Sequence, residues 1–191
     1  DIYVDGVLNS TVQTPQIQVG ENSSIQLQLP TEKFYKIKFK VKTKRGDKIV
    51  ESDFSEEIVA YAGSPLETLN ENFDNAETVP YYTAGTWATT TKAAYSAPNS
   101  LTDSPAGDYP STFVNQILFA PVVVKPGAST LQMAHIAVVA KNDYCKILIS
   151  NDFGITFKHI NWFNVTRYSG WDASTYDVTK SQWFLDGFDL S

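Results

Sequence analysis

The sequence has 191 residues, of which 42% are apolar and 13% aromatic, so it excludes a disordered chain and can form packed cores. A formal net charge of -6 disfavours nucleic acid as a partner, because an acidic protein repels phosphate unless its basic side chains are concentrated in one patch. The single cysteine, Cys145, excludes an internal disulfide and a multi-cysteine zinc site. No apolar run reaches the roughly 18 residues of a membrane-spanning helix, so no membrane span is expected.

Short strands joined by turns are predicted throughout residues 1–62. Residues 2–4 and 7–8 flank Asp5-Gly6, a dipeptide that favours the positive φ angles of a tight hairpin. Alternation of apolar and polar residues, or short apolar runs between turn residues, predicts further strands at 25–29, 35–42, 48–50 and 58–61. Gly, Ser and Pro residues make 63–66 a predicted linker between two domains.

The clearest alternation lies in residues 35–42. Period two places aromatic and β-branched side chains on one face of a strand and four lysines on the other, at positions 36, 38, 40 and 42. One interpretation is a strip that binds an anionic glycan or a membrane. The other is a solvated strand face that also deters edge-to-edge aggregation, which the nearby acids Asp53, Glu56 and Glu57 favour.

Four features of this first part carry a family resemblance: residues 25–30, 35–41 and 52–56, together with Gly46. They resemble the later strands of a fibronectin type III domain. A complete domain of this kind has about seven strands over about 100 residues. Residues 1–62 are therefore expected to be a partial fibronectin type III-like domain that lacks the earliest strands. The resemblance implies a spacer or adhesion module without catalytic residues.

The composition changes after the linker, where lysines become rarer and all four tryptophans of the chain occur. Strands are predicted at 116–119, 122–124, 131–139, 145–150 and 156–160, with a hairpin turn at 151–154. No amphipathic helix of useful length is predicted. Several strands separated by turns, with abundant aromatic residues, favour a sandwich of the jelly-roll kind. The predicted fold is therefore all-β, with two β-sandwiches.

Residues 71–74, 100–109 and 149–157 carry a second resemblance. They resemble the jelly-roll modules grouped with MAM domains, with the C-terminal region of immune-inhibitor-A-like secreted metalloproteases, and with choice-of-anchor domains of bacterial surface proteins. Members of this group usually continue with further strands. The resemblance therefore implies that 67–191 is a MAM-like jelly-roll domain lacking its last strands. We expect the chain to be a piece of a larger polypeptide, or one that another chain completes.

The most specific site prediction is a structural calcium ion. Calcium binds carboxylate and carbonyl oxygens, and the candidate ligands are Asp74, Asp103 and Asp108, followed by Glu71. The jelly rolls that the chain resembles often hold calcium between the opening strand and the following loop. The alternative is that Asp103, in Asp103-Ser104-Pro105, and Asp108, in Gly107-Asp108, simply form turns.

Aromatic side chains in the second part are candidate contacts for a glycan or a protein partner. The candidates are Tyr81, Tyr82, Trp87, Trp162 and Trp171. Rings of this kind stack on sugars in carbohydrate-binding jelly rolls. The competing interpretation is that they pack in the core and against loops.

Catalysis is not predicted for this chain. A catalytic triad needs a nucleophile, a base and an orienting group, yet neither His135 nor His159 lies in a recognisable catalytic motif. His135 follows Leu131 and Met133 at strand spacing, which indicates a packed histidine. Cys145 shares a predicted strand face with apolar residues and is expected to be a buried small hydrophobe.

The sequence therefore predicts a non-catalytic, extracellular or cell-surface region for adhesion or binding within a larger protein. Its expected partners are other protein chains or further domains of the same polypeptide, because incomplete sandwiches leave strand edges open to strand addition. Two alternatives stay open: an accessory C-terminal region of a secreted hydrolase such as a protease, and a glycan-binding module.

Overall fold

The computed structural model describes residues 1–14, 21–30, 32–75, 78–109, 114–137, 143, 145–163 and 183–190, with the backbone alone at 161–163. All regular secondary structure in these ranges is β-strand, which confirms the predicted all-β class. The number of sandwiches stays a prediction. Within the same ranges, no helix has the length and apolar character required to cross a membrane.

The chain divides into two compact units, Asp1–Ser64 and Pro65–Ser191, called unit 1 and unit 2 here. The division falls inside the 63–66 stretch, where glycine, serine and proline interrupt the strand pattern. The family identities of both units stay predictions.

Six strands lie in the described part of unit 1. They are β1 (Ile2–Val4), β2 (Val7–Ser10), β3 (Lys33–Phe39), β4 (Lys42–Arg45), β5 (Lys48–Glu51) and β6 (Ile58–Ala62). Four of them form one antiparallel sheet in the order β2-β1-β3-β6, and β4 pairs with β5 as a separate hairpin. The predicted tight turn between β1 and β2 is confirmed, since Asp5 and Gly6 have φ angles of 48° and 82° and bring Val4 opposite Val7.

The predicted single strand over 35–42 is wrong at its C-terminal end, because β3 stops at Phe39 and β4 starts at Lys42. Two serines take the place of a ladder partner between them. The Phe39 N–H donates to Ser55 Oγ at 2.9 Å, and Val41 N–H donates to Ser52 Oγ at 3.0 Å. In return, the Ser55 N–H donates to the Phe39 carbonyl and the Ser52 N–H donates to the Val41 carbonyl. The chain can therefore leave the sheet without losing backbone hydrogen bonds.

The core of unit 1 lies on one face of this sheet. Ile2 and Val4 of β1 and Tyr35 and Ile37 of β3 are buried there, in positions that alternate along each strand. Leu27, Leu29, Ala60 and Ala62 pack against these four residues. The predicted strand at 25–29 is wrong, since this segment pairs with no described strand. Its two leucines still cover the core, and Tyr35 Oη donates to the Pro30 carbonyl beside them.

Eight strands lie in the described part of unit 2. They are β7 (Tyr81–Ala84), β8 (Ala88–Thr90), β9 (Ser100–Thr102), β10 (Gln116–Phe119), β11 (Thr130–His135), β12 (Cys145–Ile149), β13 (Lys158–Phe163) and β14 (Phe184–Asp189). They pair antiparallel as β7 with β10, β8 with β9, β11 with β14 and β12 with β13. The predicted hairpin over 145–160 is thereby confirmed. The predicted strand at 122–124 is reduced to one parallel bridge between Leu66 and Val122.

Candidate functional site

The candidate site is a cleft on the face of the unit 1 sheet opposite the core. It has a volume of about 240 Å³ and is lined by Tyr3, Gly6, Lys36, Lys38, Phe54 and Glu57. Tyr3 reaches this face because its neighbours Ile2 and Val4 are buried on the other one. Antiparallel pairing then places Tyr3 directly opposite Lys38. The lysine face predicted from the alternation of residues 35–42 therefore carries an aromatic ring beside it.

Two aromatic rings form an apolar corner in the cleft. The centroids of Tyr3 and Phe54 are 4.9 Å apart with an interplanar angle of 81°, the edge-to-face arrangement that ring quadrupoles favour. The ammonium of Lys40 lies 4.5 Å from the centroid of the Phe54 ring, within cation–π range. Phe54 remains exposed despite these contacts.

One carboxylate serves two lysines in the cleft. Glu57 Oε1 is 3.4 Å from Lys36 Nζ, and Glu57 Oε2 is 3.2 Å from Lys38 Nζ. The hydrogen bond from Lys38 is the main cause that lowers the pKa of Glu57, so this carboxylate is ionised at neutral pH. Glu57 therefore bridges the two ammonium groups on a solvated surface.

The remaining lysines of the row are also paired with acids. Lys42 Nζ is 2.8 Å from Asp1 Oδ2 and 3.0 Å from Glu51 Oε1, and Lys40 Nζ is 3.7 Å from Glu51 Oε2. The two pairs with Glu51 lie at the solvated surface, whereas the Asp1 side chain is only 1% exposed. Of the two interpretations of the lysine row, the charge-paired solvated face fits positions 40 and 42, whereas positions 36 and 38 line the cleft.

Large apolar side chains are exposed at the edge of the unit 1 sheet. Among the described strands of unit 1, β2 is an outer one, and its residues Val7 and Leu8 are 70% and 50% exposed. Beyond the sheet, every residue of the β4–β5 hairpin is exposed, including Ile49 at 71%.

Two of the predicted calcium ligands hold a loop together in the structure. Glu71 Oε1 accepts from the Phe73 N–H at 2.6 Å, while Glu71 Oε2 accepts from Thr78 Oγ1 at 2.6 Å and from the Val79 N–H at 3.0 Å. Asp74 Oδ1 accepts from the Asn99 N–H at 2.9 Å. The loop before β7 and the start of β9 are thereby tied to these two carboxylates.

The other two predicted ligands lie in turns. Asp103 Oδ1 accepts from Ser104 Oγ at 2.7 Å, and Asp103 carbonyl accepts from Thr86 Oγ1. Asp108 follows Gly107, whose φ of 141° suits a turn. Within the described ranges, no three His, Cys, Asp or Glu side chains form a group that could hold a metal ion. The calcium site stays a prediction.

Three of the five predicted contact aromatics are described, and all three are half-buried. Tyr81 packs inside an aromatic cluster, with ring centroids 5.9 Å from Phe73 and 6.0 Å from Phe119. Tyr82 is next to it in β7, and Trp87 directly precedes β8. The ring contacts of Tyr81 favour the core interpretation for that residue, and the ligand contact stays a prediction for Tyr82 and Trp87. The Trp162 side chain and Trp171 lie outside the described residues.

The histidine and cysteine that sequence reasoning set aside from catalysis are placed as follows. His135 in β11 is half-buried, with its ring centroid 6.2 Å from that of Phe184 and its Nε2 3.5 Å from Asp186 Oδ2. Cys145 is exposed rather than buried, which corrects the expectation. Loss of hydration around its sulfur, with the charges of Asp103 and Asp143, nevertheless raises the pKa of the thiol to about 11. The thiol is thus protonated and a poor nucleophile at neutral pH.

The turn between β12 and β13 is built on one carboxylate. Asp152 Oδ1 accepts from the Thr156 N–H at 2.9 Å and from Ser150 Oγ at 2.7 Å, and Asp152 Oδ2 accepts from Thr156 Oγ1. Phe153 has a φ of 58° at the tip of this turn. Phe153 and Ile155 are 85% and 83% exposed, so the turn is ordered by hydrogen bonds and not by apolar burial.

Acidification is expected to loosen this turn at an unusually low pH. Hydrogen bonds from Thr156 lower the pKa of Asp152 to about 2, below the value near 3.9 of an unfolded chain. Because the folded value is the lower one, the stabilisation is fully present above pH 4 and is lost as the pH falls towards about 2. Carbon-13 NMR of the Asp152 carboxyl should show this midpoint. The Gly154 and Thr156 amides should lose hydrogen-exchange protection over the same range.

Asp152→Asn is the matched variant for this titration. It should remove the carboxyl signal, and the exchange rates of Gly154 and Thr156 should no longer change between pH 4 and pH 2 beyond the intrinsic pH effect. An Asp152 midpoint near pH 4 in the wild type would show that the turn does not hold the ionised carboxylate.

Sequence reasoning missed Tyr3, Phe54 and Glu57 as site residues. Tyr3 carries a usable signal, since it sits between two core residues of a short strand and must face the other side of the sheet. Phe54 and Glu57 carry no such sequence signal, because they belong to the segment between β5 and β6, which has no periodic pattern. Their approach to Tyr3 depends on the position of β6 beside β3.

Comparisons with protein-family models, with curated proteins and with solved structures give no match for this chain. The resemblances to fibronectin type III and MAM-like domains therefore stay predictions.

Proposed function

We propose that this chain is a non-catalytic binding region of an extracellular or cell-surface protein, in which the β2 edge of unit 1 pairs with a second polypeptide. The occupant of that edge is a second copy of this chain. The observation that carries the proposal is the exposure of Val7 and Leu8 on an outer strand. The extracellular location is supported by the family resemblances of residues 1–62 and 67–191.

The β2 strand lacks most of the features that protect natural sheet edges. Its sequence, Val7-Leu8-Asn9-Ser10, contains no lysine and no proline. An irregularity in the pairing with β1 falls beside Asn9, so the residues from Val7 to Leu8 form the regular part of the edge. A strand added there gains backbone hydrogen bonds and covers two apolar side chains.

A second copy is the partner that fits an uncharged edge. Two β2 strands can pair antiparallel across a two-fold axis, so that each copy presents the same surface to the other. Like charges placed directly opposite each other would destabilise the pairing, and β2 contains no charged side chain. Burying a valine or leucine side chain contributes about 1.5–3 kcal/mol, which must exceed the cost of association.

Concentration-dependent dimerisation of the isolated chain is the expected result. Analytical ultracentrifugation across the micromolar range should show a monomer–dimer equilibrium. Val7→Lys should weaken it about tenfold or more, because pairing would then bring two lysines together and bury charge. A photo-reactive leucine analogue in place of Leu8 should cross-link two β2 strands.

Val114→Lys is the matched control. Val114 lies in unit 2 and is 70% exposed, as Val7 is, so this substitution adds the same charge at an equally exposed valine away from the edge. Dimerisation of this variant should equal that of the wild type. A wild-type chain that stays monomeric throughout the range, or equal weakening by both substitutions, would refute the proposal.

A further inference from the structure

We infer that the outer edge of β4 binds an extended, acidic polypeptide segment of a partner protein by strand addition. β4 pairs with β5 on one side and with no described strand on the other. This inference does not depend on pairing at the β2 edge, because β2 belongs to the four-stranded sheet and β4 to the separate hairpin. The partner is an acidic strand and not a second copy of the same edge.

The basic side chains of unit 1 divide into a paired set and an unpaired set. The lysines at positions 33, 36, 38, 40 and 42 each have a carboxylate oxygen at 3.7 Å or closer. Lys44, Arg45 and Lys48 form no ion pair with any described residue, and every acidic residue of unit 1 is described. Residues 44–48 therefore carry three positive charges against one negative charge, that of Asp47 in the turn.

The positions of these charges favour an acidic partner and exclude a second copy of β4. Antiparallel register places Arg45 directly opposite Lys48, and like charges in such positions destabilise a strand pair. Two β4 edges that paired with each other would bring further lysines and arginines together, so the charges guard the edge against self-association. An added strand with carboxylate side chains would instead offset the repulsion that is already present.

The backbone of β4 offers hydrogen-bonding groups along its outer edge. The Ser52 N–H donates to the Val41 carbonyl at 2.9 Å, and hydrogen-bonded pairs alternate along an antiparallel ladder. The bonded pairs with β5 therefore fall at the odd-numbered positions of β4, whereas the N–H and C=O groups of Lys42 and Lys44 point away from β5. Within the described ranges, these outward N–H groups meet no other acceptor. A strand added at this edge would pair with them.

The distribution of charge over two faces favours a peptide strand over a flat anionic surface such as a bilayer. Successive side chains of a strand point to opposite faces, so Lys44 lies on one face of the hairpin and Arg45 on the other. A flat surface can contact only one of these faces. An added strand alternates in the same way, so two successive carboxylates can reach Lys44 and Arg45 together, and the arginine can bind its carboxylate through two parallel hydrogen bonds.

Titration with the end-blocked hexapeptide Thr-Glu-Glu-Val-Glu-Thr, followed by proton–nitrogen NMR of the full 191-residue chain, tests the inference. Shifts should be confined to amides of the β4–β5 hairpin, with a dissociation constant of about 1 mM or lower. The Lys42 and Lys44 amides should gain hydrogen-exchange protection, because they point to the added strand. A peptide with glutamine in place of every glutamate should bind at least about tenfold more weakly. Raised salt should weaken binding of the acidic peptide.

Methylation of peptide amides separates strand addition from attraction by charge alone. Only alternate residues of an added strand direct their N–H groups towards β4. N-methyl groups on that set of residues should weaken binding about fivefold or more, because each removes a hydrogen bond of the ladder. N-methyl groups on the other set leave the ladder and the peptide charge intact and should have a smaller effect.

Two variants and one control locate the site on the chain. Lys44→Gln and Arg45→Gln should each weaken binding of the acidic peptide about fivefold or more. Lys158→Gln makes the same charge change at an exposed position of β13, in the two-stranded hairpin of unit 2, and should leave binding unchanged. Every residue of β4 is exposed, so the substitutions there leave no cavity, and retained unit 1 signals would verify the fold of each variant.

Four results would overturn the inference. The first is the absence of shifts at millimolar peptide, which would leave the cations of β4 as a guard against aggregation only. The second is equal binding of the glutamine peptide. The third is equal weakening by the two sets of N-methyl groups, or by Lys158→Gln and Lys44→Gln, which would indicate attraction by overall charge without strand addition. The fourth is binding of phosphatidylglycerol vesicles to the same amides with no effect of the peptide, which would assign the edge to a lipid surface.

Discussion

Ile37→Ala is expected to lower the free energy of unfolding of unit 1 by about 2–5 kcal/mol. Ile37 lies in β3, the strand between β1 and β6, and is 7% exposed. Its register partners are Val4 on one side and Ile58 on the other. Removal of its buried carbon atoms leaves a cavity in a core of four buried residues. Few neighbouring side chains can move into that cavity, so little of the lost stability is recovered.

The same substitution at Ile49 is the control for this prediction. Ile49 is 71% exposed in β5, so Ile49→Ala should change the stability by no more than about 0.5 kcal/mol. Urea titrations followed by the NMR signals of unit 1 amides would measure both variants, and the signals of unit 2 would report separately. Equal effects at the two positions would show that the buried face described for unit 1 is not its core.

The core of unit 1 could be predicted because it follows from a local rule. Period two in residues 35–42 places Tyr35 and Ile37 on one face and Lys36 and Lys38 on the other. The pleat of a strand dictates this for any sheet that contains it, whatever the neighbouring strands are. The turn at Asp5-Gly6 is equally local, since both residues readily adopt positive φ.

The cleft could not be predicted because it depends on register and on a break in a strand. Tyr3 meets Lys38 only through the pairing of β1 with β3. The approach of Phe54 requires the segment after β5 to return along β3, where Ser52 and Ser55 hydrogen-bond to Val41 and Phe39. Serine hydroxyls in a polar segment give no sequence signal for such pairing, since most exposed serines have no comparable role.

The predicted calcium ligands show a similar limit. Acidic residues in loops indicate either cation binding or turn formation, and the sequence offers no means of separating the two. In the structure, the Glu71 carboxylate accepts hydrogen bonds from Phe73, Thr78 and Val79, which follow it by two, seven and eight positions along the chain. The arrangement of a loop around a carboxylate is set by backbone geometry that no residue pattern in this stretch specifies.

Glu71→Ala is expected to destabilise unit 2 by about 2–4 kcal/mol, measured in the presence of EDTA. The substitution removes the acceptor of three hydrogen bonds to a charged group. The N–H of Val79 would be left without its partner in a residue that is 5% exposed, which adds a desolvation cost. Glu71→Gln should destabilise unit 2 less than Glu71→Ala. The amide oxygen can still accept the hydrogen bonds made to one carboxylate oxygen, although the NH2 group then faces the donors to the other.

Glu67→Ala is the matched control, since Glu67 is an exposed glutamate of the same unit only four residues earlier. Its effect should stay within about 0.5 kcal/mol. The EDTA condition separates two roles of Glu71: a carboxylate that orders the loop by itself is needed without metal, whereas a calcium ligand is needed mainly when calcium is bound. A Glu71→Ala chain as stable as the wild type in EDTA, but less stable in calcium, would contradict the hydrogen-bond role and support the calcium prediction for this residue.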